Sequence, residues 1–360
     1  MKKIICAIIT FSMLVNTCVF TIGETGGTNG GSGASGVQAT NGGPNASSQK
    51  AVVLFAHGYG GTGSSCSRYY AQPDILPDFQ VVSFEFPDSI KNKENNGKLN
   101  KKKTCFGQEQ ETETLKNNFE AQKAAGNKVL AVGISRGAMC VLSANIPGAI
   151  GIFAESPGAS LIDIVDHQCK KYGFGWMPFL SDFIHDWILR PFVYNNYDPN
   201  GQKPIDMVKN IPLDTPVFIS YTINDTLIPA SSSVKLAEEL VKTGHTAVYI
   251  YGSNLGYHAH ILYLDENYKK VFKEFLVKCG VIDCSNSCAD GQKLLEDCKI
   301  KSLEQVQSLR SELELANWTA YWGRNIVGFL VSSVIIGQAA KKLLNYVKNG
   351  RKTSYLISKF

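Results

Sequence analysis

The chain has 360 residues, of which 44% are hydrophobic and 19% charged, with a formal net charge of +5. These values suit one globular core with appendages and exclude a small disulfide-dense scaffold. The basic excess gathers in Lys91–Lys103 and the last twenty residues. The first stretch has no interleaved aromatics and reads as a solvated loop, so no folded surface for nucleic acid is expected.

Met1-Lys2-Lys3 precedes an apolar run from Ile4 to Val15, the size of a secretory h-region and short for a membrane span. Residues 1–22 are therefore read as a signal peptide, with cleavage between Thr17 and Gly23. An uncleaved anchor, or a lipoprotein modified at Cys18, is the alternative, although Asn16-Thr17 makes a poor lipobox. Residues 23–49 are rich in Gly, Ser, Asn and Thr and read as a flexible linker.

From about 50 to 280, strand-like and helix-like patterns alternate. Ala51–Ala56, Val81–Phe86, Val129–Ile134, Ile150–Ala154, Val217–Tyr221 and Ala247–Tyr251 are short runs of near-continuous apolarity. Such runs suit strands buried on both faces of a parallel sheet. Helical patterns intervene at Glu111–Ala125, Gly137–Asn145, Ser233–Lys242 and Glu266–Cys279. The alternation predicts a doubly wound, mostly parallel α/β sheet.

Chemistry-bearing residues follow the ends of these strands. His57-Gly58-Tyr59-Gly60-Gly61 closes the first, and Gly133-Ile134-Ser135-Arg136-Gly137 joins the third to a helix. A serine at a strand-to-helix turn is held in a strained, exposed conformation, and flanking glycines let the turn close. The helix N-terminus that follows favours negative charge nearby. Asp225 lies past the strand ending at Tyr221, and Glu155 past the one ending at Ala154. Gly256-Tyr257-His258-Ala259-His260 follows the last strand. The His-x-His pair has no carboxylate cluster at ligand spacing around it, so no metal and no other cofactor is expected.

Together these motifs resemble the α/β-hydrolase superfamily over about two thirds of the chain. The resemblance implies an eight-stranded core, a Ser-His-Asp triad and an acyl-enzyme intermediate. On it, Ser135 is the nucleophile, His258 the base with His260 as alternate, and Asp225 the acid with Glu155 as alternate. The oxyanion donors are the backbone N–H groups of Tyr59 and Arg136, with Gly60 in place of Tyr59 if the loop turns one residue later. His57 is read as structural. Arg136 departs from the pattern, since many members carry a smaller or less charged residue after the nucleophile.

Pro157–Pro212 (cap about 157–212) stands where this superfamily inserts a helical cap. Its aromatics either cover an acyl pocket as a lid or bury the cap against the core. His167 and His185 are read as packing residues, and Cys140 as a buried small hydrophobe. Cys279, Cys284, Cys288 and Cys298 lack paired zinc-knuckle spacing and read as disulfides at the end of the domain.

Residues 281–317 form an expected Cys-containing helical stalk. Residues 318–340 combine Trp318, Tyr321 and Trp322 with an uncharged run, Ile326–Ala340, ahead of a basic tail at 341–360. This pattern reads as a transmembrane helix ending in the cytoplasm, the alternative being a helix docked on the domain or membrane surface. Small residues Gly328, Ser332, Ser333 and Gly337 leave room for homo-oligomer packing there. The expected partners are a small-molecule or lipid ester substrate and the membrane, with a peptidase of the same fold or an inactive binding protein as alternatives.

Overall fold

The structure, a computed structural model, describes residues 51–65, 80–171, 178–190, 194, 196–259, 261–283, 285 and 287–316. The expected leader, linker, transmembrane segment and tail lie outside these residues, as do His260 and Cys284. Among the described residues no helix is long and apolar enough to cross a membrane.

Six parallel strands form one sheet: β1 (Ala51–Ala56), β2 (Gln80–Ser83), β3 (Lys128–Ile134), β4 (Gly151–Glu155), β5 (Val217–Thr222) and β6 (Val248–Ser253). Their order is β2-β1-β3-β4-β5-β6. This is a parallel α/β sheet consistent with an α/β-hydrolase. Among the described residues the sheet has six strands, against the eight that the resemblance implies, and every pairing is parallel.

The helices are α1 (Glu109–Ala124), α2 (Arg136–Ser143), α3 (Leu161–Lys171), α4 (Pro178–Ile184), α5 (Ala230–Lys242), α6 (Glu266–Lys278) and α7 (Ala289–Cys298). Alternate strand residues Val53, Phe55, Leu130, Val132, Phe153, Phe218 and Tyr249 pack with Phe272, Phe275 and Leu276 of α6. Their intervening neighbours, such as Val52, Leu54, Ala131 and Ile219, are buried too, on the face that α1, α2 and α5 cover. Burial on both faces is why these strands read as continuous apolar runs rather than alternating ones. Each fully buried Phe contributes on the order of 2 kcal/mol.

α7 packs on α6 and places Leu295 in the core cluster. Beyond it, residues 303–310 are helical; Val306 is buried and Arg310 Nη1 lies 2.9 Å from Glu238 Oε2 on α5. The segment expected as a stalk therefore begins against the domain.

The expected disulfides are not made by the described cysteines: Cys279, Cys288 and Cys298 are each unpaired. Cys288 caps the start of α7 and Cys298 ends it, about 15 Å apart at helical rise, well beyond the reach of one bridge. Cys279 is buried in the core, where its Sγ would meet any Cβ added to Gly151.

Between β4 and β5 the chain forms a cap. α3 and α4 are followed by a π-helical turn, His185–Leu189, and a short helix, Pro204–Met207. Its aromatics divide between the two expected uses. Tyr194 and Tyr197 are buried with Leu161, Ile164 and Leu189 against Met139 of α2. Phe183 and Trp187 stack 6.5 Å apart on the outside, Trp187 being 71% exposed.

Candidate active site

The sheet order reverses between β1 and β3, whose chains leave in opposite directions to β2 and β4. A crevice outside the carboxyl ends of the strands forms at such a switch point. The glycine loop after β1 and the serine turn after β3 both open there.

Ser135 adopts φ 53° and ψ −117°, a conformation that costs a non-glycine residue about 1–3 kcal/mol. The flanking glycines make it attainable. A Cβ on Gly137 would sit 2.0 Å from the Ala56 carbonyl oxygen, and one on Gly133 would sit 2.3 Å from that of Gly137. The turn is pinned on one side by the Ser135 N–H, which donates to the Glu155 carbonyl at 2.8 Å. On the other, the Met139 N–H donates to the Ser135 carbonyl at 3.0 Å and starts α2.

His258 stands in the loop after β6, followed by Ala259 at φ 57°. The Thr222 hydroxyl at the end of β5 donates to the Tyr257 carbonyl at 2.7 Å and holds this loop over the sheet. His258 Nε2 lies 2.9 Å from Ser135 Oγ, and its Nδ1 lies 2.7 Å from Asp225 Oδ2. The other oxygen, Asp225 Oδ1, accepts the N–H groups of Leu227 (2.7 Å) and Ile228 (2.9 Å). An Asx turn is thus formed by one oxygen while the second faces the imidazole.

Burial opposes charge on His258, but the charge and hydrogen bond of Asp225, helped by Glu155, outweigh it and raise its pKa above the ordinary histidine value. The imidazole is thereby suited to taking a proton.

The alternate acid, Glu155, does not face Nδ1. Its Oε2 accepts from the Tyr268 hydroxyl at 3.0 Å, and its Oε1 accepts the Ile261 N–H at 3.3 Å. It braces the segment just beyond the histidine loop. The alternate base, His260, lies outside the described residues.

After β1, the Gly61 N–H donates to the Gly58 carbonyl at 3.1 Å, with Gly60 at φ 72° closing the turn over Tyr59. A Cβ on Gly58 would reach Ser135 Cβ at 3.6 Å, so this loop lies directly against the serine. Arg136 is the first residue of α2, where a backbone N–H has no partner within the helix.

His57 is buried; its Nδ1–H donates to the Gly58 carbonyl at 2.8 Å, and its Nε2 accepts the Phe86 N–H at 3.3 Å. Burial, with the Arg136 charge, lowers its pKa to about 3, so it is neutral. Its 3.7 Å approach to Glu85 is accordingly no ion pair. His57 ties the glycine loop to the segment after β2. His185 and His167 lie in the cap: His185 is buried among Tyr194 and Tyr197, and burial lowers the His167 pKa to about 4.

Two residues that the sequence reading did not single out join the site from beneath. Asp88, at the start of the lysine-rich loop, and Glu111, on α1, both meet the Arg136 guanidinium with side chains 0% exposed. The one available signal was Arg136 itself, since a buried arginine demands carboxylate partners. Among the described residues no group of His, Cys, Asp and Glu is arranged to hold a metal ion.

No family model matches the chain, and no curated protein matches it. It is similar to several solved structures. A Pyrococcus furiosus esterase, Pf2001, is 21% identical, covering 63% of this chain and 83% of that one with a TM-score of 0.45. A Paleococcus ferrophilus monoacylglycerol lipase is 18% identical, over 64% and 97%, with a TM-score of 0.43. A Pyrococcus horikoshii acylaminoacyl peptidase is 16% identical, over 69% and 40%, with a TM-score of 0.44. These likenesses are distant, and the functional reading rests on the geometry of the site.

Proposed function

We propose that this chain is a serine hydrolase of the α/β-hydrolase type that cleaves carboxylic esters through an acyl-enzyme. The observation that carries the reading is the line Ser135 Oγ, His258 Nε2, His258 Nδ1, Asp225 Oδ2, with its two links of 2.9 and 2.7 Å.

In this reading Ser135 Oγ bonds to the ester carbonyl carbon while its proton passes to His258 Nε2. Negative charge moves to the carbonyl oxygen, which the backbone N–H groups of Tyr59 and Arg136 receive. Asp225 holds the imidazole in the needed tautomer and stabilises its charged form. The tetrahedral adduct collapses, the bond to the leaving alkoxide breaks, and His258 returns the proton to it. Water then attacks the acyl-Ser135 ester by the same sequence. No metal or organic cofactor enters this scheme.

A lipid-like ester is the substrate class favoured. The apolar cluster between cap and α2, and the exposed Phe183 and Trp187 on the cap, both support it. Export and a single membrane crossing, with the catalytic domain outside and the basic tail inside, are supported by the sequence pattern at 1–22 and 318–360.

The test is labelling of the full chain with a fluorophosphonate, beside Ser135→Ala, followed by a panel of acyl esters and aminoacyl amides. Labelling lost in the variant, with turnover of esters and none of amides, is the expected result. A folded chain that takes no label and turns over nothing would move the binding-protein reading forward. Cleavage of amides as well as esters would identify a peptidase.

A further inference from the structure

Arg136 is one of the largest fully buried side chains in the protein. Its Nη1 donates to Asp88 Oδ2 at 2.5 Å and to Glu111 Oε1 at 3.3 Å. Its guanidinium carbon lies 4.5 Å from the centroid of the Phe86 ring and 5.7 Å from that of Tyr59. Burial pulls the guanidinium toward neutrality, but Glu111 and Asp88 outweigh it, and it stays charged.

Each carboxylate ties in further backbone. Glu111 accepts the N–H groups of Cys105 (3.1 Å) and Gly107 (2.6 Å), and Asp88 accepts the Thr104 hydroxyl (2.7 Å). Both ends of the lysine-rich loop are thereby locked under the nucleophile turn.

A buried arginine between two buried carboxyl groups is an inefficient way to stabilise a fold, since apolar side chains of similar volume often serve as well or better. Arg136 Nε and Nη2 and Asp88 Oδ1 also lack hydrogen-bond partners, a further cost. What the cluster uniquely achieves is geometric. One guanidinium belongs to Arg136 and carries the Tyr59 ring on its face, so it links the two residues whose backbone N–H groups the hydrolase reading assigns to the substrate oxyanion.

We propose that the Asp88–Arg136–Glu111 cluster is a positioning device for the oxyanion hole, holding the Arg136 and Tyr59 amides at a set separation. The inference rests on the hydrolase reading and extends it: Asp88, Glu111 and the side chain of Arg136 touch no substrate and act through the two amides. Donors placed for the developing charge accelerate turnover without tightening ground-state binding.

The experiment uses the full chain and p-nitrophenyl butyrate, with active sites counted by fluorophosphonate titration. Asp88→Asn weakens the grip on Arg136 and keeps its volume; Tyr59→Leu takes the ring off the guanidinium, and off Phe106 on which it stacks at 5.2 Å, and keeps the inference falsifiable should the first variant not fold. The expected result is a fall of about 10- to 100-fold in kcat per titrated site with KM within about twofold, and slower phosphonylation to match. Wild-type kcat per titrated site in a folded variant, even with fewer sites titrated, would overturn the inference and leave the cluster a folding role. A wild-type chain that neither labels nor turns over would instead overturn the hydrolase reading itself.

Discussion

Asp225 divides its carboxylate between the backbone and His258: Oδ1 takes the Leu227 and Ile228 N–H groups, and Oδ2 lies 2.7 Å from Nδ1 of the imidazole. The Asx turn aims the second oxygen, so tautomer and ring orientation follow from one local turn. Asp225→Asn keeps the shape but cannot enforce the tautomer with Nδ1 protonated. The expected outcome is a loss of about 10⁴-fold in kcat with little change in unfolding midpoint, read by ester kinetics and denaturant titration.

The pH profile follows from the same pair. Ser135 needs a neutral His258, and the His258 pKa is raised above the ordinary value of 6.5. Activity should therefore rise with pH through a limb that lies above 6.5 and fall as the imidazolium forms below it. Glu155 contributes to the raised value, so Glu155→Gln should shift the limb of kcat/KM to lower pH. An unmoved limb would show that Glu155 only braces Tyr268 and Ile261.

Gly137 has no room for a side chain, since an added Cβ meets the Ala56 carbonyl oxygen at 2.0 Å. Gly137→Ala should lower stability by more than about 3 kcal/mol and abolish labelling of Ser135. Gly256→Ala, in open space two residues from His258, should stay within about 0.5 kcal/mol of wild type. Guanidinium denaturation compares the two.

Cysteine accessibility separates the described thiols. Cys288 is exposed and unpaired, whereas Cys140 is fully buried and burial raises its pKa well above the usual thiol range. Iodoacetamide applied without reductant should alkylate Cys288 in the native chain and leave Cys140 untouched until unfolding. Peptide mass mapping reads both sites. A Cys288 that reacts only after reduction would show it paired, with the neighbouring Cys284 as its nearest candidate in sequence.

Much of the fold was legible in the residues because its signals are local. The runs at 51–56 and 129–134 are apolar at every position and that at 217–221 is so but for Ser220, and the structure places strands over each with ends within a residue or two. The lysine-rich loop was harder. Much of it is solvated, as its composition suggests, but Asp88 and Thr104 at its ends and Asn95 in its middle are buried. Asp88 and Arg136 are far apart in the chain, and no local period marks such a pair. The same limit applies to Leu295, whose helical spacing fits a free stalk as well as one packed on α6.

The sequence by itself determined the strand–helix alternation, the glycine-flanked Ser135 turn and the order in which Ser135, Asp225 and His258 follow their strands. Those features depend on residue type and short-range spacing, which sterics and burial read directly. Only the tertiary structure decided that Asp225 rather than Glu155 faces His258, that Cys288 and Cys298 stand at opposite ends of one helix, and that Arg136 meets Asp88 and Glu111 beneath Tyr59. Each of these turns on ångström-scale distances between segments remote in the chain. Such distances are set by how the helices and loops pack on the sheet, and no single segment encodes them.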